Sequence, residues 1–180
     1  MDTEPLPVAR RRLAVVAVAL AALVLCSSAL STGGARGSRT NPYPLKTWAK
    51  LPDGFELRVN RSIPNATELV LAAAKSNPHP QDGKQYVLVN LTLSYGGHGA
   101  RGVFSAYSLS AVGRFGLVYT ALDDGCIGVV PKALDDFQRV KAGTRVTGNI
   151  CYEVLSDDAS VLRLRHRLSP KSPALFFKLH

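Results

Sequence analysis

From Phe55 onward the chain keeps changing sides. Phe55, Leu57 and Val59 alternate with Glu56, Arg58 and Asn60, the period of a half-buried β-strand. Val87, Val89, Leu91 and Leu93 alternate with Leu88, Asn90, Thr92 and Ser94, and Gly96-Gly97 closes that run. Further strands are predicted over 104–112, ended by Gly113, and over 116–120, followed by the turn residues Asp123-Asp124-Gly125. A short one is predicted over 126–130, stopping at Pro131. Over 146–154, Val146, Gly148, Ile150, Tyr152 and Val154 share one face. Strands over 161–168 and 175–179 complete the set. Turn signals recurring at such short intervals predict an all-β sandwich or barrel. One segment departs from the pattern. Asn65 stands three residues before Glu68, and the run Leu69 to Lys75 favours helix until Ser76-Asn77-Pro78. A short helix is therefore predicted as an insertion between strands.

The amino terminus follows a different rule. Arg10, Arg11 and Arg12 precede thirteen residues, Leu13 to Leu25, without a polar side chain, and no charge appears until Arg36. A positive flank, an apolar stretch and then small residues is the layout of an export segment. Three fates are compatible with it. Ser27 and Ala29 fit a cleavage site ahead of Leu30. Leu13 to Leu30, eighteen residues, reaches the short edge of a spanning helix and fits an uncleaved anchor. Cys26 after Leu23-Val24-Leu25 is the position of an acylated cysteine, although Leu25 is bulky for that motif. The chain thus divides into 1–30 as signal peptide or anchor, 31–50 as a flexible linker rich in Gly, Ser, Thr and Pro, and 51–180 as the folded domain.

Composition fits a globular domain: 46% hydrophobic and 19% charged residues exclude a disordered or collagen-like chain. The formal net charge is +9, and removing residues 1–29 leaves 19 basic and 11 acidic residues, so the exported part is basic in its own right. Cys126 and Cys151 are the only cysteines of that part, and outside the cell such a pair is expected to form a disulfide; the alternative, a reactive or metal-binding thiol pair, finds no His at ligand spacing and no C-x-x-C. His79, His98, His166 and His180 are scattered, without the close spacing of a zinc site. Asp123-Asp124, Asp135-Asp136 and Asp157-Asp158 fall in predicted turns, where Asp accepts backbone hydrogen bonds. There is no G-x-S-x-G elbow, no phosphate loop and no dinucleotide fingerprint. The most suggestive surface feature is a basic comb. Arg163, Arg165 and Arg167 share one strand face while Leu162, Leu164, His166 and Leu168 share the other. Such a comb fits phosphates on an anionic surface polymer, and equally fits a solvated outer face. Aromatic residues are not interleaved with these arginines, which argues against nucleic acid.

The order of several segments resembles a known family. NPHPQDGKQYVLVNLTLSY at 77–95, CIGVVP at 126–131, AGTRVTGNICYEV at 142–154 and LFFKLH at 175–180 resemble the telokin-like, immunoglobulin-like domain of unknown function found in actinobacterial secreted antigens and lipoproteins. The resemblance covers about residues 51–180. It implies an immunoglobulin-like β-sandwich on the extracellular side of a bacterial membrane and carries no catalytic residue. It also implies that the sequons at Asn60, Asn65 and Asn90 carry no glycan.

The expectation is a non-enzymatic exported module of the cell envelope, with a binding or structural role, no cofactor and no metal. Its partner is an envelope or extracellular protein or an anionic surface polymer. It meets the membrane through the N-terminal segment if that segment is uncleaved, and it does not meet nucleic acid. The competing expectation is an envelope enzyme or metal carrier whose site the fold assembles from distant residues.

Overall fold

Two four-stranded antiparallel sheets, a short α-helix and a two-stranded ribbon make up the computed structural model, which describes residues 34–103, 108–121, 123–135 and 137–180. The first sheet has the order β1 (Trp48–Lys50), β2 (Phe55–Ile63), β3 (Lys84–Tyr95) and β8 (Arg145–Leu155). The second has the order β10 (Leu175–Lys178), β9 (Arg163–His166), β5 (Leu109–Val112) and β6 (Val118–Thr120). The ribbon pairs β4 (Ala100–Gly102) with β7 (Arg139–Lys141). The fold is an all-β immunoglobulin-like sandwich with one short α-helix among the described residues; the alternating pattern predicted a sandwich or barrel, and the family resemblance implied the immunoglobulin-like form.

The core follows from that alternation. β2 and β3 direct Phe55, Leu57, Val59, Val87, Val89, Leu91 and Leu93 to one side, and β8 adds Tyr152 and Val154. From the second sheet Leu109, Ala111, Tyr119, Leu164 and Phe177 join the same buried cluster. At roughly 25 cal/mol per Å² this shared apolar burial is the main force holding one sheet on the other. Gly148 has a steric reason. The segment 131–134 runs parallel to β8 there, with Leu134 N donating to Asn149 O and Asn149 N to Lys132 O. A Cβ at 148 would stand 2.5 Å from the Leu134 backbone.

The outer face of the first sheet is divided. Its lower half is covered by the helix α1 (Thr67–Ala73), which buries Val70 with Ala66, Tyr86, Leu88 and Cys151 in a second apolar cluster. This explains why Leu88 is apolar on a face that is otherwise polar. Asn77 locks the cover in place. Its Nδ2 donates to Val70 O at 2.6 Å and to Val129 O at 2.8 Å, and its Oδ1 accepts from Val129 N at 2.8 Å. Cys126 and Cys151 are joined by a disulfide, Cα to Cα 5.5 Å, beside the same cluster.

Three expectations change. Residues 34–50 are not simply a linker: Tyr43 bridges to Phe177 in the second sheet, and Trp48–Lys50 then adds β1 to the first. The segment thus pairs with both sheets, and Tyr43 stacks on Phe177 with centroids 5.3 Å apart. The helix N-cap is Ala66, without a side-chain cap, in place of Asn65. What fixes that end is Ala66 N donating to Tyr86 O, and Thr67 Oγ1 accepting from Tyr86 N. Residues 126–130 form a loop and not a strand, with Ile127 and Val129 exposed. Of the strand predicted over 104–112, Leu109–Val112 is present, while residues 104–107 lie outside the described residues, as do 1–33 with the export segment and Cys26. Among the described residues no helix is long and apolar enough to cross a membrane.

Candidate anionic-surface face

β9 lies in the interior of the second sheet, paired with β10 on one side and β5 on the other. Leu164 and His166 point into the core and are buried, while Arg163, Arg165 and Arg167 are half-buried on the opposite face. The three arginines do share one face, but their surroundings differ. Arg167 lies past the strand end, where its Nε donates to Ser172 O at 3.1 Å and its Nη2 to Pro170 O. It ties down the loop leading to β10. Arg165 Nε donates to Ser110 Oγ on β5 at 3.0 Å. Burial, with the Arg167 charge second, lowers the Arg165 pKa, yet a guanidinium keeps its proton under any ordinary condition.

Arg163 is different. Its cross-strand neighbour on β10 is Lys178, a like charge directly opposite. Among the described residues neither side chain has a hydrogen-bond or carboxylate partner. Like charges directly opposite each other weaken a ladder. A cleft of about 240 Å³ opens beside them, lined by Ser160, Val161, Leu162, Leu179 and His180 as well. Arg163 and Lys178 thus form a like-charged pair at the cleft, and Lys178 was missed because the register between β9 and β10 is not written in either strand alone.

The other sequence candidates separate clearly. His79, His98 and His180 are exposed and His166 is buried. Burial lowers the His166 pKa, opposed by the Asp53 charge. Among the described residues no group of three or more His, Cys, Asp or Glu side chains converges as metal ligands. The acidic pairs work in turns. Asp124 accepts from Thr120 N at 2.9 Å and Asp123 from Thr120 Oγ1 at 2.9 Å. Asp158 is buried, and accepts from Tyr119 Oη at 2.7 Å and Arg114 N at 2.9 Å. Burial and that hydrogen bond push the Tyr119 pKa up. Asp136 lies outside the described residues.

On the first sheet, two guanidinium groups lie against the Trp48 ring, Arg58 at 4.9 Å and Arg145 at 5.1 Å from its centroid. Placing Trp48 in a linker concealed this contact at the level of sequence. Beside it, Asn60 Nδ2 donates to Asn90 Oδ1 at 2.8 Å and Asn90 Nδ2 to Asn149 Oδ1 at 2.7 Å, a ladder across three strands. Asn60 and Asn90 are thus occupied in the sheet.

No family model matches the chain, and no curated protein matches it. Solved structures match its shape. The secreted protein MPT63 of Mycobacterium tuberculosis superposes with a TM-score of 0.51 at 13% identity, over 76% of this chain and 97% of that one. The yjhA protein of Bacillus subtilis gives 0.48 at 9% identity, over 77% and 99%. An uncharacterized β-sandwich protein of Clostridium difficile 630 gives 0.44 at 10% identity, over 78% and 95%. At such identity the likeness is one of fold.

Proposed function

We propose that this chain is a non-enzymatic module on the extracellular side of the cell membrane, released or held there by its N-terminal segment, that binds an anionic surface polymer. The observation that carries the reading is the opposition of Arg163 and Lys178 on adjacent strands, without a carboxylate partner among the described residues and beside an open cleft. A phosphate-bearing chain supplies the missing negative charge, and Arg165 extends the contact along β9. Export is supported by Arg10-Arg11-Arg12 with the apolar run behind them, and by a disulfide of the kind that persists in oxidising compartments. The resemblance to the telokin-like domain of secreted antigens and lipoproteins, and the fold shared with a secreted mycobacterial protein, point the same way.

Long-chain polyphosphate is a suitable probe. The protein should bind it with an affinity that falls steeply as salt rises, because exposed charges are screened beyond about 8 Å at physiological ionic strength. The double variant Arg163→Gln, Lys178→Gln should bind markedly more weakly at low salt, with an unchanged far-UV circular dichroism spectrum. Binding of the double variant equal to that of the parent at low salt would remove this face as the site.

A further inference from the structure

The turn between β5 and β6 carries a feature that the polymer reading does not use. Phe115 is 98% exposed and Leu117 47% exposed. Phe115 has φ 56°, and Gly116 beside it has φ 86°. The left-handed region disfavours a bulky side chain and is the natural place for glycine. This turn therefore keeps a phenyl ring in water at a backbone position that disfavours it.

The turn is also held from below. Gly113 N donates to Leu117 O at 2.8 Å, and Leu117 N to Arg114 O at 3.2 Å. The buried Asp158 accepts from Arg114 N and from Tyr119 Oη. Tyr119 and Asp158 lie in the protein interior, so the ring projects from a fixed base.

Charge surrounds it. Arg114 is exposed next to the ring, and the Arg39 guanidinium lies 3.5 Å from where a Gly116 Cβ would stand. Val112 pairs with Arg163, so the Arg163 and Lys178 row lies at the same end of the sheet as the turn. Val161, 41% exposed, lines the cleft there. The turn thus presents an exposed apolar ring with basic side chains beside it. That combination suits a soft, negatively charged surface that the ring can enter.

We infer that this end of the second sheet is a lipid-docking tip: Phe115 and Leu117 enter the boundary of an anionic bilayer while Arg39, Arg114, Arg163 and Lys178 meet its headgroups. This rests on the extracellular reading above and adds the membrane face as the surface. An aromatic ring at headgroup depth with arginines beside it matches how peripheral elements hold an anionic leaflet.

The test uses the chain's lone tryptophan. In the full chain carrying Trp48→Phe and Phe115→Trp, the new indole should be quenched by brominated lipid in vesicles of one-third phosphatidylglycerol, and much less in pure phosphatidylcholine vesicles. In the unaltered full chain Trp48, on the other sheet, should stay unquenched on both. Residues 34–180 contain every described strand and both apolar clusters, so vesicle sedimentation of this shorter chain isolates the tip from the N-terminal segment. Phe115→Gly should weaken its partition onto the anionic vesicles about ten- to a hundredfold, the value of one buried phenyl ring. No quenching at position 115 on anionic vesicles overturns the inference, as does equal quenching at 115 and at Trp48. If polyphosphate binding through Arg163 and Lys178 persists while quenching is absent, the tip fails and the polymer reading stands. If polyphosphate binding is lost from the parent while quenching persists, the reverse holds.

Discussion

Reducing the disulfide should cost this domain a large part of its stability. Cys126 and Cys151 close a loop of 25 residues. In the chain-entropy treatment a loop of that length removes about 12 cal/mol/K from the unfolded state, or roughly 3.5 kcal/mol at 25 °C. The compact unit spans Gly33–His180. Its unfolding entropy, at about 2.1 cal/mol/K per residue, is near 0.3 kcal/mol/K, so the loss corresponds to a fall in Tm of roughly 11 °C. Calorimetry of the oxidised protein and of the fully reduced, thiol-capped protein measures this directly, and the double variant Cys126→Ala, Cys151→Ala checks it without reductant. A fall of less than about 4 °C, with complete reduction shown by mass, would refute the loop-entropy reasoning. The size of the effect bears on location. Domains of this kind hold about 5–15 kcal/mol in all, so a compartment that kept these thiols reduced would take away a quarter or more of the margin.

Two further predictions concern single side chains. Asn77→Ala removes three hydrogen bonds between the helix, the disulfide loop and the side chain, and at about 1 kcal/mol each should lower stability by roughly 3 kcal/mol; an unchanged urea midpoint would show that the loop does not depend on this residue. His166 has its folded pKa lowered by burial, so below pH about 6.5 the unfolded chain binds the extra proton. Its contribution is then full above that pH and is lost as pH falls toward the folded value, by at most about 1.4 kcal/mol per pH unit. Denaturation midpoints between pH 8 and 5 should fall for the parent and fall less for His166→Gln.

The long strands were legible because each is long enough to show its period. β2, β3 and β8 run for 9, 12 and 11 residues, and each buries one face against the core. β1, β4 and β7 have three residues each, too few to show a period, and they exist through their partners: Trp48 opposite Arg58, Arg101 opposite Val140. The reverse error at 126–130 has the same origin. Apolar β-branched residues favour a strand, but Gly128 at φ 111° and the Asn77 amide hold Val129 in a loop instead. The helix shifted its cap because tertiary bonds to Tyr86 replaced the local cap offered by Asn65. The basic face was visible as alternation in 161–168. That Arg167 is committed to loop carbonyls, and that Lys178 takes its place beside Arg163, depends on how β9 meets β10. For the tip the available signal was Phe115 set between Arg114 and Gly116, a large aromatic where turn chemistry favours small residues.

The two outer faces of the sandwich differ in what they leave unmet, and this difference decides where a partner is expected. On the first sheet the polar groups answer one another. Arg58 Nε donates to Asn60 Oδ1, Asn60 to Asn90 and Thr92, Thr92 shares a hydrogen bond with Thr147, and Asn149 donates to Pro131 O. Its two nearby arginines rest on Trp48, and α1 covers the rest with apolar contacts. A ligand there would have to break bonds already made, each of which it must replace to gain anything. On the second sheet, Arg163 and Lys178 face each other without a carboxylate among the described residues, and a phenyl ring stands in water a few residues from them. Charge repulsion and a ring in water are both unfavourable, and the proposed contact with a negatively charged surface would relieve both. Natural sequences keep locally unfavourable choices chiefly where function uses them, which is the reason for proposing the β5–β6 turn and the β9–β10 edge beside it as the contact surface.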